Sequence, residues 1–507
     1  SGHYAVMLTV AGTGYSRWRD LAVTRWREDT TSEDWGSHIY LRDAQSGRVW
    51  SAAARPSDSV ADVYEVAFAE DHAAFTRHDG SMTTTTEVLV SAEADGEVRQ
   101  VTLVNTGPKI REIDVTSYAE LVLAPQAADT AHQAFSKMFV QTEYLPEFGA
   151  LVATRRVRSP TEHPVWAAHF AVVEGVVIAP IQYESDRARF LGRGHTARTA
   201  LAIHEGGALS NTVGTVLDPV FALRQRLRIE PGQTAKVAFW TVIASTREVL
   251  LELVDQHHDR NAFERARTLA WTQAQVQLLH IGITADEAAD FQRLAAPILY
   301  ADACFRAPPE AIARGAGPQS GLWQHGISGD LPIVLLHIDD IEDISQLHQL
   351  LQAHEYWRMK RLGVDLVVIN ERASSYVQDL QIAIETAVRS SQSRPRLGES
   401  LAHGVVHVLR ADLIDANARA LLHSVARVAL VARRGNISEQ LKLISQPDRV
   451  IASPRVRTQT TGSPLPAVYP LIDAASSRQT YQTIENKLEF FNGLGGFDQD
   501  GQEYVTI

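Results

Sequence analysis

The chain is 507 residues long, enough for about three domains at roughly 150 residues each and too long for a single ordinary core. Its 48 basic and 60 acidic residues leave a formal net charge of −12, which argues against bulk affinity for nucleic acid. At 45% hydrophobic and 21% charged, the composition is globular rather than disordered. The one cysteine, Cys304, cannot close an internal disulfide, which fits a reducing compartment. No apolar run approaches the roughly 20 residues of a membrane helix, and no signal peptide is legible.

Residues 1 to about 245 read as strand after strand. Residues 82–90 are rich in β-branched side chains, and 97–104 follow the turn signal Ala94-Asp95-Gly96. Residues 110–123 alternate apolar and polar as a half-buried strand does; 165–173 and 222–229 follow, and Pro231-Gly232 turns the chain into 235–243. Many strands at short spacing predict a large antiparallel sandwich. Near 246 the period changes to that of a helix. Residues 247–257 form one helix, Asn261 with Glu264 has the form of a capping box for a second, and Thr284 with Glu287 for a third.

From about 331 strands and helices alternate: strand 333–338, helix 345–361, strand 364–370, a helix capped at Ser374 or Ser375, strand 405–409, a short helix capped by Asp415, and strand 428–431. That pattern predicts a small, mostly parallel α/β sheet covered on both faces. The expected divisions are a sandwich over 1–245, a helical linker over 246–317, an α/β domain over 318–446 and a turn-rich, extended tail over 447–507. Strand patterns at 4–10 and 503–507 run into the two ends, so the chain is expected to be a piece of a longer protein with a further domain downstream.

Four of the nine tryptophans, Trp18, Trp26, Trp35 and Trp50, fall in the first fifty residues among Arg17, Arg19, Arg25 and Arg27. Sugars present C–H faces that stack on aromatic rings and hydroxyls that need donors, so this mixture suits carbohydrate. Filling the sandwich core is the competing role for the same rings. The candidate carbohydrate-binding residues are Trp18, Arg17, Arg25, Trp26 and Trp35. Gly326 and Gly329 precede a strand rather than open a helix, which favours a tight turn over a phosphate loop. The carboxyl ends of the α/β strands carry Asp339, Asp340, Asn370, Glu371, Arg372, Asp412, Arg433 and Arg434, where a ligand of a doubly wound sheet would sit. None of the 19 histidines forms a metal motif, no nucleophile elbow is present, and Cys304 reads as a packing residue. No cofactor, metal or catalytic residue is assigned.

The segments GTGYSRWRD at 12–20, RWRED at 25–29 and IYLRD at 39–43, with Val49-Trp50, resemble cyclic β-1,2-glucan synthases. Specifically, they resemble the β-supersandwich of cellobiose and chitobiose phosphorylase-type enzymes, which recurs in the C-terminal half of those synthases. FSKMFV at 135–140, LSNTVGT at 209–215, GISGD at 326–330 and EFFNGLGGF at 489–497 extend the likeness over nearly the whole chain. The resemblance implies a galactose-mutarotase-like supersandwich within a large inner-membrane protein that makes cyclic β-1,2-glucan from UDP-glucose. It implies that the phosphorylase-like region controls glucan length and that this piece lies on the cytoplasmic side. Phosphorylases of this type keep their catalytic acid and phosphate site on a helical barrel, for which this chain has too few helices. No family catalytic residue therefore transfers.

Three readings stand. The chain is a non-catalytic module that binds or positions β-1,2-glucan beside a catalytic domain of the parent polypeptide. Alternatively, it is a structural docking or spacer module of the same synthase. As a third reading, it is an independent carbohydrate-active enzyme using the α/β cleft.

Overall fold

Alternation of apolar and polar side chains along residues 4–244 produces two antiparallel sheets, of nine and eight strands. In Met82–Val90, for example, Met82, Thr84, Thr86 and Val88 are buried and the residues between them are not. The computed structural model describes residues 2–27, 35–160, 162–372, 378–392, 404–442, 495–497 and 504–506. The nine-stranded sheet is organised on Arg111–Pro125, which pairs with Pro219–Ile229 on one side and with Ser37–Asp43 and Leu21–Thr24 on the other. The eight-stranded sheet runs from Val140–Leu145 through Ala150–Arg155, Val165–Glu174, Thr234–Ala244, Gly96–Asn105, Met82–Val90 and Ala73–Asp79 to Val63–Phe68.

The inner faces meet in one core that includes Leu103, Ile113, Val115, Phe221, Leu223 and Phe239. A histidine crosses it. His169 Nε2 lies 2.8 Å from Ser117 Oγ on the opposite sheet, and Nδ1 lies 2.9 Å from Thr241 Oγ1. Its ring stacks between Phe221 and Phe239, at 5.6 and 5.9 Å. Burial pulls its pKa down to about 3, so the imidazole is neutral. The strand pattern gave no sign of the short helices inside the sandwich, Gln126–Ala131, Gln133–Lys137, Arg187–Leu191 and Leu201–His204.

The next helices cover the outer face of the eight-stranded sheet. Leu250 and Val254 of Arg247–His257, with Phe263 and Ala266 of Ala262–Ile281, pack against Phe170, Trp240 and Val242. The capping box expected at Asn261 does not form. Asn261 has a helical backbone (φ −84°, ψ −4°) that keeps its side chain from reaching over the first turn, and its own N–H donates to Asp259 Oδ1 at 3.2 Å. Both halves of the box at Thr284 and Glu287 are present.

In the α/β region all strand pairs are parallel, in the order Val406–Arg410, Asp365–Asn370, Ile333–Ile338, Val428–Val431. Helices Ile344–Met359 and Asp379–Gln392 cover one face on Val334, Leu336 and Val368. Ala416–Val425 covers the other face on Leu335, Val367 and Ile369. The sheet is therefore doubly wound, with its switch point between Ile333–Ile338 and Val428–Val431. Ser374 and Ser375, the expected caps, lie outside the described residues. Cys304 is exposed rather than packed, because the 3-10 turn Ala303–Phe305 buries Phe305 instead. The region docks on the sandwich through the Tyr356 hydroxyl, which donates to Glu70 at 2.9 Å, and through Lys360, 3.4 Å from the same carboxylate. Residues 447–507 form a separate unit in which an antiparallel pair, Gly495–Phe497 with Tyr504–Thr506, is described. The expected turn-rich tail lies otherwise outside the described residues.

Candidate functional site

The five sequence-adjacent candidates are dispersed by the period of the strand that carries the first two. Burial alternates along Gly14–Trp18, so Trp18 and Arg17 point to opposite faces. Trp18 enters the sandwich core at 4% exposure, and its indole N–H donates to Asp95 Oδ2 at 2.7 Å. Arg17 lies on the side facing Arg361, whose pKa is lowered by burial and by the nearby Arg17 charge.

Arg25 is 1% exposed and anchors a buried charge cluster. Its Nη1 is 2.8 Å from Glu120 and 3.4 Å from Asp218, and its Nε is 3.1 Å from Asp129. Arg187 reaches Glu120 at 2.6 Å, and Lys137 reaches Asp218 at 2.6 Å. Three cations thus balance three carboxylates. Burial alone would raise the pKa of Glu120; Arg187 and Arg25 reverse that and hold it below the ordinary value. Burial would likewise lower the pKa of Arg25, but Asp129 and Glu120 raise it instead. Such a cluster fixes the segments it joins, and its groups are committed to one another rather than to a ligand.

Trp26 and Trp35 are only half-buried. The Trp26 ring lies 5.9 Å from Tyr15, and the Arg27 guanidinium lies 5.2 Å over the Trp35 ring. Arg27 also donates to Gln133 Oε1 at 2.6 Å, which ties this rim to helix Gln133–Lys137. On that helix Phe135 is 53% exposed and meets Phe139 edge to face at 5.0 Å. Arg155 and Arg158 lie over Phe139 at 5.3 and 5.2 Å. The result is a strip of rings and forked donors above the buried charges. Rings offer a stacking face to sugar C–H groups, and planar guanidinium groups donate to hydroxyls in fixed directions. Phe135, Phe139, Arg155 and Arg158 escaped the sequence reading as site residues because they lie about a hundred positions beyond Arg27. The segment at 135–140 is a signal for Phe135 and Phe139, and no segment singled out in the sequence contains Arg155 or Arg158.

At the carboxyl ends of the α/β strands the ionic groups pair off. His337 Nδ1 is 2.7 Å from Glu371 Oε1, and Arg419 Nη2 is 2.6 Å from the same oxygen. Burial would raise the pKa of Glu371, and His337 and Arg419 together hold it low. Arg410 pairs with Asp412 at 2.7 Å, Arg433 with Asp339 at 3.6 Å and Arg372 with Asp379 at 3.0 Å. Two carboxylates poised for acid–base work on one ligand do not meet among these contacts. Among the described residues no group of three or more His, Cys, Asp or Glu has a metal-binding arrangement, and no helix is long and apolar enough to cross a membrane.

The comparisons with known proteins agree with this architecture. The cyclic beta-(1,2)-glucan synthase NdvB of Rhizobium meliloti (strain 1021) is 38% identical over 506 residues, which is 100% of this chain and 18% of the synthase. Solabiose phosphorylase of Paenibacillus borealis is 27% identical over 197 residues, 39% of this chain and 24% of the phosphorylase. N,N'-diacetylchitobiose phosphorylase of Vibrio proteolyticus is 23% identical over 219 residues, 43% of this chain and 26% of that enzyme. The chain thus matches between 18% and 26% of the length of these relatives. The family model for the glycosyl hydrolase 94 supersandwich domain matches residues 1–260, the two-sheet sandwich and its first helices. The chain belongs to the glycosyl hydrolase 94 supersandwich family.

Proposed function

We propose that this chain is a non-catalytic module of a cyclic β-1,2-glucan synthase that holds β-1,2-glucan and positions it beside a phosphorylase-like catalytic domain of the same polypeptide. In this reading it contributes to glucan synthesis and to chain-length control from the cytoplasmic side of an inner-membrane protein. The division into a 1–245 sandwich, a 246–317 linker, a 318–446 α/β domain and a 447–507 tail belongs to the same reading. The observation that carries it is the rim on which Arg27 lies over Trp35 and bonds Gln133, beside half-buried Trp26. Identity to the NdvB synthase along the whole chain supports the choice of glucan. Of the five sequence candidates, Trp26 and Trp35 are the stacking residues; Trp18 and Arg25 support the rim from below, and Arg17 lies apart.

A docking or spacer role in the same synthase is the second reading. Trp271 and Leu279, exposed at 56% and 81% on helix Ala262–Ile281, favour it.

Calorimetric titration with linear and cyclic β-1,2-glucans separates the two readings. Affinity is expected near millimolar, about 4 kcal/mol, because a hydrated sugar exchanges water hydrogen bonds for protein ones at little net gain. Trp26→Ala or Trp35→Ala is expected to remove about 1–3 kcal/mol of that, by analogy with other aromatic stacking platforms. Thermal melts of each variant separate lost binding from lost folding. Full affinity in folded variants would overturn the rim as the contact, and no heat with the wild-type chain would overturn glucan binding itself.

A further inference from the structure

The eight-stranded sheet has a gap beside Val165–Glu174. Its neighbour Ala150–Arg155 pairs with it only from Arg155↔Val165 to Leu151↔His169. Residues 171–174 therefore have no strand partner on that side among the described residues, although Thr234–Ala244 pairs with them on the other. Along this free edge lies an open groove of about 460 Å³, which is within the size range of small-molecule sites. Ala171, Val173 and Ile181 form its apolar walls, Gln225 lies at its base, and His258 and Arg260 stand at its rim.

The polar groups define what would fill it. Gln225 is 8% exposed on the inward side of Pro219–Ile229, and its Oε1 is buried without a hydrogen-bond partner. A buried amide oxygen left unpaired is costly, and a turn of the carboxamide toward the groove would let a donor there satisfy it. Rotation of the carboxamide presents a donor or an acceptor to the same place. No carboxylate lines the groove, so nothing there selects a cation. Arg260 is exposed and has no ion-pair partner among the described residues, so its guanidinium can donate to a neutral hydroxyl as well as to an anion. A wholly apolar ligand would leave the Gln225 oxygen unpaired. A ring with C–H faces for Ala171, Val173 and Ile181, and hydroxyls that both donate and accept, satisfies every group present.

We propose that this groove binds a short segment of an uncharged saccharide, as a second glucan contact separate from the Trp26–Trp35 rim. The proposal rests on the glucan-handling reading above for the identity of the sugar. Its test is a titration of the whole chain with a linear β-1,2-glucan oligosaccharide, followed by calorimetry and by methyl NMR of Val173 and Ile181. Exposed Arg260→Ala removes the rim donor, and Ala179→Trp fills the groove mouth from the loop. Each is expected to weaken binding about tenfold, the factor that one charge-assisted hydrogen bond or one stacked ring commands, with unchanged melting. Glucan is expected to shift the Val173 and Ile181 methyl signals in the Trp26→Ala/Trp35→Ala variant as well.

Unchanged affinity in both groove variants, with still methyl signals, would overturn the groove while leaving the rim reading intact. Lost affinity in the groove variants with full affinity in the tryptophan variant would sustain the groove and remove the rim. Methyl shifts produced by inorganic phosphate at lower concentration than by the glucan would also overturn the proposal, since they would make the groove an anion site.

Discussion

The sandwich and the α/β region are stabilised by different physics. In the sandwich, Arg25, Arg77, Arg99, Glu97, Asp114, Glu120 and Arg224 are all buried. Their contacts join distant parts of the chain: Arg25 meets Glu120, Asp129 and Asp218 at sequence separations of 95, 104 and 193. The α/β interior is almost dry. Val334, Leu336, Leu366 and Val368 are essentially inaccessible, and the buried polar residues described there are His354, Asp365, Asn370, Ser424 and Gln440. A dry sheet tolerates apolar exchange of similar volume, whereas an ion cluster specifies which segments meet and fails when one member is removed. Of these charges, the Arg25 cluster adjoins the segment that carries Trp26, so positional specificity is built next to the proposed contact.

The largest effect that would break this contrast is at Arg25. Arg25→Ala leaves three carboxylates facing two cations and is expected to destabilise the sandwich by about 3–5 kcal/mol. Leu336→Ala in the dry sheet is expected to cost about 2–5 kcal/mol through its cavity. Urea unfolding at several pH values separates them. The Glu120 pKa is depressed in the fold, so its contribution is full above the unfolded carboxylate range, shrinks below it and is lost as pH falls through the lower folded value. The Arg25→Ala penalty is therefore expected to shrink in acid, while the Leu336→Ala penalty holds constant. Equal pH dependence of the two would remove the distinction.

Acid acts next, through His169. Its folded pKa of about 3 lies far below the ordinary value near 6.5, so only the unfolded chain takes up this proton between those values. Stability is full above about pH 7 and falls as the pH drops below about 6.5, by about 2 kcal/mol at pH 5 from this one group. His169→Gln keeps a polar bridge that does not titrate, and a flatter pH–stability curve is the expected result. A smaller test lies in the helices between the two regions. Thr284→Ala removes a formed capping box and is expected to cost about 1 kcal/mol. Asn261→Ala removes a side chain that makes no cap bond and is expected to stay within about 0.5 kcal/mol. Thermal melts of the pair give the answer directly.

Much of this architecture is written in local pattern. The strands of the sandwich, the change of period near 246 and the four α/β strands follow from alternation and apolar runs, which are short-range properties. The same locality explains the failures. Asn261-x-x-Glu264 has the letters of a capping box, but Asp259 captures the N–H on which the box depends. Trp18, Arg17, Arg25 and Trp26 are neighbours in sequence, and the alternation visible in Gly14–Trp18 already separates Arg17 from Trp18. Nothing local announces that Arg25 meets Asp218, or that Arg27 meets Gln133. Those contacts are set by which strands pair, information that lies in the whole fold.

The most direct test of the central claim follows individual rings while glucan is added. With the nine tryptophans of the chain labelled as 5-fluorotryptophan, each gives its own fluorine resonance, assignable by single Trp→Phe variants. Titration with linear β-1,2-glucan is predicted to shift the Trp26 and Trp35 signals and to leave buried Trp18 and Trp357 unmoved. Still Trp26 and Trp35 signals, with glucan binding established by calorimetry, would contradict the account.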